Sequence, residues 1–213
     1  HASSLLILGS PGSGKTTVVR ECCKMLAEAG GQNTMIVDTS NEIAGDGDVP
    51  HSSVGLARRM MVKDIGQQAR VMIEALQNHT PDWICVDEIG RAQEVEAART
   101  VKQRGVKLLA SAHGDLRSLL KNAPLRGLVG GVETLTLGDD AAKKNQGSKL
   151  KAQRAGEPIF DAILELRVGE FDNWRLITDV AGAVDQVLLG TTFKIQQRVR
   201  DGDGSTRLLF GEG

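Results

Sequence analysis

The sequence predicts an α/β fold in which helices flank a mostly parallel central sheet and an antiparallel extension follows on the C-terminal side. Four short apolar runs predict buried strands, and segments with helical spacing separate them: residues 5–8, 33–38, 82–87 and 106–111. A Gly-rich turn joins the first strand to a helix. Further along, two strands with a glycine turn predict an antiparallel pair, and Asp201-Gly-Asp-Gly predicts a hairpin.

The amino-acid composition of the 213-residue chain limits the classes of function that it can have. A hydrophobic content of 40% and a charged content of 25% are typical of a soluble globular protein with a sizeable core. The aromatic content of 3% argues against a base-stacking platform, and a net charge of −1 argues against a uniformly basic surface. No apolar run reaches the ~18 residues of a membrane span. Three cysteines predict buried thiols in a reducing compartment rather than a disulfide framework.

The stretch from Leu5 to Thr17 combines an apolar strand, the sequence Gly-Ser-Pro-Gly-Ser-Gly-Lys-Thr and the start of a helix, which together form a P-loop. Its glycines permit backbone angles that point successive amides at a phosphate, and the helix N-terminus adds partial positive charge. Lys15 can reach the β- and γ-phosphates, and the Thr16 hydroxyl can ligate Mg²⁺. We therefore expect ATP and Mg²⁺ as cofactors, with the nucleotide bound by Gly9, Pro11, Gly12, Ser13, Gly14, Lys15, Thr16 and Thr17.

Carboxylates follow two of the predicted strands. Asp87 and Glu88 end an apolar strand in the manner of a Walker B motif, so Asp87 would hold Mg²⁺ through water and Glu88 would polarise the attacking water. Glu42 comes soon after another strand, in a loop rich in Gly and Asp. Because ligands bind at the carboxyl edge of parallel sheets, Glu42 is a further candidate catalytic residue.

Ser111 and His113 end the next strand and are expected to sense the γ-phosphate, although a lone histidine at a strand end is often structural. Phosphoryl transfer also needs positive charge near the γ-phosphate, which a neighbouring subunit can supply as an arginine finger. The candidates for this role are Arg58, Arg59, Arg91 and Arg99.

The segment from Lys143 to Arg154 contains five cations and no acidic residue. Such a composition is typical of a mobile solvated loop. In a ring-shaped ATPase it also suits a loop that grips the phosphates of a nucleic acid.

Several segments resemble, in order, the stage III sporulation protein AA family with its cyanobacterial and chloroplast relatives. These segments are Asp38–His51, Asp87–Gly90, Ala97–Thr100, Ser111–Gly114, Gly130–Asp139 and Phe160–Asp161. The resemblance implies a RecA-like P-loop ATPase of the additional-strand, catalytic-glutamate group, similar to secretion-type motor ATPases and forming a hexameric ring. Glu42 and His113 lie where the acidic and His boxes of those relatives would fall, so Glu42 and Glu88 both remain candidates for the water-activating carboxylate.

We therefore expect residues 1–190 to form the ATPase domain and 191–213 to add C-terminal edge strands, in a fragment whose flanking domains are missing. The expected function is an ATP-hydrolysing motor ring that acts on nucleic acid. The alternatives are a secretion or assembly ATPase that acts on protein or membrane complexes, and a nucleotide-dependent switch with little turnover. A small-molecule kinase is disfavoured because no Arg-bearing lid is found. The expected location is the chloroplast stroma or a bacterial cytoplasm, and the relatives favour the chloroplast.

Overall fold

The computed structural model describes residues 3–136 and 150–213. In these residues the helices and strands follow one another as β1 (Leu5–Gly9), α1 (Lys15–Glu28), β2 (Thr34–Asp38), β3 (Arg58–Met61), α2 (Gln68–Asn78), β4 (Trp83–Val86), α3 (Ala92–Gln103), β5 (Lys107–His113), α4 (Leu116–Lys121), β6 (Val132–Thr136), β7 (Leu150–Arg154), β8 (Ala162–Leu166), β9 (Asn173–Ile177), α5 (Val180–Leu188), β10 (Lys194–Arg200) and β11 (Thr206–Glu212).

Nine of these strands form one sheet in the order β11-β10-β9-β8-β1-β5-β4-β2-β3. The six strands from β8 to β3 are parallel, whereas β9, β10 and β11 are antiparallel to their neighbours. The predicted α/β fold, with its mostly parallel sheet and antiparallel extension, is therefore confirmed. Because β1, β2, β4 and β5 run in one direction, the loops after them meet at one edge of the sheet.

Apolar side chains cover both faces of the parallel strands. Leu6 and Leu8 pack into one core cluster and Ile7 into the other, as the alternation of a strand requires. Burial on both faces explains why these strands are continuous apolar runs rather than alternating ones. Cys22, Cys23 and Cys85 are free thiols, the last two fully buried.

The C-terminal strands extend the same sheet. β10 pairs with β9 on one side and β11 on the other, and Arg200 lies opposite Thr206 at the predicted hairpin turn. Helix α5 buries Val180, Ala183 and Val184 in the core. Residues 191–213 are thus continuous in hydrogen bonding with the sheet that begins at β1.

Two features depart from the sequence expectations. Residues 58–61, considered only as a source of catalytic arginines, form edge strand β3 beside β2. Residues 150–154, expected in a basic loop, form β7, which pairs antiparallel with β6 in a separate two-stranded sheet. Residues 143–149 of that expected loop lie outside the described residues. None of the helices within the described ranges has the length and apolar character needed to cross a bilayer.

Candidate nucleotide-binding site

The loop between β1 and α1 has the backbone that its glycines predict. Gly12 and Gly14 have φ angles of 77° and 90°, in the left-handed region that other residues rarely adopt. At Gly9 a Cβ atom would lie 2.2 Å from Ser13 Oγ. No side chain caps the N-terminus of α1, so its first amide groups face the loop without a capping partner.

A cavity of about 560 Å³ opens beside this loop. The predicted nucleotide, metal and sensor residues share its lining: Pro11, Gly12, Gly14, Lys15, Thr16, Thr17, Glu42, Asp87, Glu88, Ser111 and His113. The structure thus brings together the P-loop with the start of α1, the loops after β2 and β4, and the end of β5, which are up to about a hundred residues apart in the chain.

Lys15 is the cation of this cavity. Its Nζ donates hydrogen bonds to the carbonyl oxygens of Gly9 at 2.9 Å and Ser10 at 3.2 Å. Burial lowers the pKa of Lys15, while nearby carboxylates, Glu88 first among them, act in the opposite direction. The ammonium is therefore held over the loop by main-chain carbonyls and by the negative field of the opposite wall.

Carboxylates crowd the wall opposite Lys15. Burial raises the pKa of Asp87 to about 6; Asp38, Glu42 and Glu88 add to this shift, and a hydrogen bond from Ser40 opposes it. The Thr16 hydroxyl donates to Glu42 Oε2 at 3.1 Å. A cation placed here would relieve the repulsion among these carboxylates.

This donor set fits Mg²⁺. Hydroxyl and carboxylate oxygens are its preferred ligands, and the ion usually keeps several waters and takes further ligands from substrate phosphates. Within residues 3–136 and 150–213, no cluster of three or more His, Cys, Asp or Glu side chains could hold a metal without such help. Thr16 and Asp87 are therefore suited to an ion that arrives with a nucleotide.

Glu88 and His113 lie at the ends of neighbouring strands and contact each other. His113 Nε2 is 3.1 Å from Glu88 Oε1, and the two side chains are 50% and 43% exposed. His113 also lies opposite Gly9 across the β1–β5 pair, next to the P-loop. The contact orients the Glu88 carboxylate while leaving its surface accessible from the cavity.

Ser111 lines the cavity, but its hydroxyl donates a hydrogen bond within the protein. It is 3% exposed and donates a hydrogen bond to the main-chain carbonyl of Asp87. This bond fixes the end of β4 relative to β5. Its geometry gives Ser111 a structural role in holding the Walker B segment, beside the sensor role that the sequence predicts.

The loop after β2 (residues 39–51, the acidic loop) carries Glu42. It is anchored by Asp38, a residue that the sequence did not mark as functional. Asp38 is fully buried, and its Oδ2 accepts hydrogen bonds from the amides of Ile43 at 3.1 Å and Ala44 at 2.8 Å. A carboxylate that ends a strand and is followed by a Gly-rich loop is a recognisable signal for such a loop anchor. Asp38 thereby sets the position of Glu42.

Gln68 is a second residue that sequence reasoning missed. It is 2% exposed, accepts a hydrogen bond from the Thr39 hydroxyl, and donates from Nε2 to the Glu88 carbonyl at 2.6 Å. Gln68 therefore links the segments that carry the two candidate bases. The signal was its position four residues before Met72 and seven before Ala75, on the buried face of α2.

The candidate arginines occupy different places, and none of them lines the 560 Å³ cavity of its own chain. Arg58 bonds to Asn33 Oδ1 at 2.6 Å and the His79 carbonyl at 3.2 Å, near the amino end of the sheet. Arg59 bonds to the carbonyls of Gly45 and Gly47 in the acidic loop. Arg91 is exposed beside Glu88, in a smaller cavity that shares Glu42, Asp87 and Glu88 with the first.

Arg99 and Arg154 make ion pairs within the chain. Arg99 Nε lies 3.6 Å from Glu96 Oε2 on α3. Arg154, the last residue of the expected basic loop, is 18% exposed and bonds through Nε to Asp185 Oδ1 at 3.2 Å. Arg154 therefore ties β7 to α5 and is not free to grip a phosphate, whereas Lys151 of the same strand is exposed.

Comparison with known proteins identifies one matching family and several relatives of this chain. The family model described as sporulation stage III, protein AA matches residues 1–134. The uncharacterized protein ycf45 of Porphyra purpurea is 45% identical over 199 residues, which cover 93% of this chain and 35% of that protein. SEEDLING PLASTID DEVELOPMENT 1 of Arabidopsis thaliana is 51% identical over 164 residues, covering 76% of this chain and 24% of that protein.

Stage III sporulation protein AA of Bacillus subtilis is 34% identical over 130 residues, covering 58% of this chain and 41% of that protein. The chain thus spans less than half the length of each of these three relatives. Among solved structures, the VirB11 ATPase from the Brucella suis type IV secretion system, in complex with sulphate, matches with a TM-score of 0.47 and 14% identity. That match covers 78% of this chain and 44% of the other.

Proposed function

The chain belongs to the sporulation stage III protein AA family, and from that premise we propose that it binds ATP with Mg²⁺ and hydrolyses it as part of a motor ring. The observation that carries the proposal is the single cavity in which Lys15, Thr16, Asp87 and Glu88 meet. A P-loop lysine, a metal-binding hydroxyl and two strand-end carboxylates are the parts that P-loop NTPases use.

In this proposal the loop amides and the N-terminus of α1 bind the β-phosphate, and Lys15 binds the β- and γ-phosphates. Thr16 and, through water, Asp87 hold Mg²⁺, which neutralises phosphate charge when it is bound. The left-handed glycines and the uncapped start of α1 support this assignment.

Glu88 is the proposed water-activating carboxylate. It orients the water and accepts its proton as the water oxygen attacks the γ-phosphorus and the bond to the β–γ bridging oxygen breaks, giving ADP and phosphate. His113 holds the Glu88 carboxylate from β5. Glu42 accepts a hydrogen bond from the proposed metal ligand Thr16, so its position supports a role beside the ion.

Negative charge develops on the γ-phosphoryl oxygens in the transition state, and in enzymes of this kind an arginine finger stabilises it in addition to the P-loop lysine. The candidate arginines do not line the cavity of their own chain, which supports a site completed by a neighbouring subunit in a ring, expected from the family to be a hexamer. Arg91 is placed best among them, because it is exposed next to Glu88.

Nucleic acid is the proposed substrate of the motor. The four lysines of the acid-free run from Lys143 to Arg154 support this, and Lys151 is exposed on β7. The name of the Arabidopsis relative refers to plastid development, which supports a chloroplast location for this chain. If the chain instead works on protein or membrane assemblies, turnover will not respond to nucleic acid.

The test is phosphate release by purified chain with Mg²⁺ and ATP, measured over a range of protein concentrations, with and without single-stranded DNA. We expect turnover that rises with protein concentration and is abolished by Lys15→Ala. Lys63→Ala, a change of an exposed lysine outside the cavity, should leave turnover intact. No Mg²⁺-dependent binding or turnover at any concentration would contradict the proposal.

A further inference from the structure

The antiparallel end of the sheet exposes an unusual share of the aromatic residues of this chain. The sequence has four Phe and two Trp and no Tyr. Phe160, Phe193 and Trp83 are buried, whereas Phe171, Trp174 and Phe210 are 58%, 38% and 76% exposed. All three exposed rings belong to β9, β11 or the turn that precedes β9, so half of the aromatic residues lie in one region.

Strand pairing places two of these rings around one arginine. Trp174 of β9 and Leu208 of β11 both lie directly opposite Arg198 of β10, so the three side chains share one face of the sheet. Phe210 lies two residues further along the same face, opposite Gln196. We call Phe171, Trp174, Arg198, Leu208 and Phe210 the aromatic–arginine surface.

The central strand of this surface carries three cations on one face. Lys194, Arg198 and Arg200 point to the same face of β10 because each is separated from the next by an even number of residues. Arg200 is paired with Asp172 at 2.7 Å. The Arg198 side chain is exposed and makes no hydrogen bond or ion pair with any residue in 3–136 or 150–213.

A cavity of about 270 Å³ lies within this surface, lined by Phe171, Asp172, Trp174, Arg198, Arg200 and Thr206. Its size suits a single planar ring rather than a large ligand. Two guanidinium groups and one carboxylate line it, which leaves one positive charge to be matched. A ring with an attached anionic group satisfies both the apolar walls and this charge.

We propose that the aromatic–arginine surface binds single-stranded nucleic acid, with a base stacked on Trp174 and a phosphate held by Arg198. Aromatic side chains on an open sheet face stack bases of any sequence, and an arginine can add a phosphate contact. A protein partner is less favoured, because it would have to supply a carboxylate opposite Arg198, whereas every nucleotide carries a phosphate.

This inference deepens the proposed motor function, since it assigns a contact for the nucleic acid substrate. It runs against the argument from composition that an aromatic content of 3% disfavours a base-stacking platform. Binding at this surface needs no ATP. A failure here therefore leaves hydrolysis untouched, and a failure of hydrolysis leaves this binding measurable.

The test is fluorescence anisotropy of a labelled single-stranded oligonucleotide titrated with the 213-residue chain, without nucleotide and at several salt concentrations. We expect Trp174→Leu to weaken binding roughly 5- to 150-fold, the effect of losing one stacked base, while Trp174→Phe retains most of it. Arg198→Ala should reduce the slope of log affinity against log salt by about 1. Arg70→Ala, which removes an exposed arginine from α2, is the matched control and should change neither quantity.

The intrinsic fluorescence of Trp174 gives an independent readout. Trp83→Phe leaves Trp174 as the sole tryptophan, and stacking of a base should quench its emission. Absence of binding at low salt, or an Arg70→Ala loss as large as that of Arg198→Ala, would overturn the proposal. Self-association that Trp174→Leu abolishes, without oligonucleotide binding, would assign the surface to a second copy of the chain and also overturn it.

Discussion

His113 Nε2 lies 3.1 Å from Glu88 Oε1, which joins the ends of β5 and β4 beside the P-loop. A carboxylate held from one side by an imidazole keeps its second oxygen for a water molecule. The contact converts two half-exposed side chains into one oriented unit.

Removal of the imidazole should therefore slow hydrolysis without loss of ATP binding. We expect His113→Ala to lower kcat by up to ~10²-fold, the range seen when a catalytic group is misplaced by about 1 Å. The affinity for ATP should stay within about threefold, because His113 is not one of the proposed phosphate ligands. Steady-state kinetics and equilibrium binding of a fluorescent ATP analogue measure the two quantities. An equal loss in both would assign His113 to nucleotide binding instead.

The Gln68 link predicts a combined effect on stability and turnover. Gln68→Leu leaves the Thr39 hydroxyl and the Glu88 carbonyl without their partner. Both hydrogen bonds are partly buried, so the expected cost is about 0.5–1.5 kcal/mol for each bond lost. We expect a lower melting temperature together with a lower kcat. Gln67→Leu changes the exposed neighbour and is the control. A Gln68→Leu protein with wild-type stability and turnover would refute the positioning role.

Substitutions of Arg154 and Lys151 should affect different properties, stability and oligonucleotide binding respectively, although both residues belong to the basic segment. Arg154→Ala removes the contact of β7 with Asp185 of α5, and because the pair is partly exposed we expect a loss of about 1 kcal/mol in unfolding free energy. Lys151→Ala should leave thermal unfolding unchanged and weaken oligonucleotide binding modestly. Thermal melts and anisotropy titrations of the two variants check this. Equal melting temperatures for both would contradict the structural role of Arg154.

The features that could be predicted from the sequence are those whose structure depends on residues close together in the chain. The P-loop and the Walker B strand are continuous segments whose residue types determine the local backbone, so β1, β4 and the Gly-rich turn before α1 could be predicted from the sequence. Gln68 was missed because its partners, Thr39 and Glu88, are 29 and 20 residues away. Contacts at that range depend on how α2 packs on the sheet, which a local pattern does not specify.

The same reasoning explains the other departures. β3 has no apolar alternation, since it is an edge strand whose conformation comes from pairing with β2. The exposure of Phe171, Trp174 and Phe210 cannot be read from composition, because it depends on which sheet face a helix covers. The order of strands placed Trp174 and Phe210 on an exposed sheet face, with Phe171 in the turn beside it.

The measurement that tests the central claim most directly compares Glu88→Gln with Glu42→Gln for single-turnover hydrolysis of Mg²⁺-bound ATP, alongside ATP affinity. If Glu88 activates water, Glu88→Gln should bind ATP normally and lose ~10²–10⁴-fold in rate. Glu42→Gln should instead raise the Mg²⁺ concentration needed for activity and retain most of the rate at saturating Mg²⁺. A Glu88→Gln protein with near wild-type turnover, beside an inactive Glu42→Gln protein, would contradict the account and assign the base to the acidic loop.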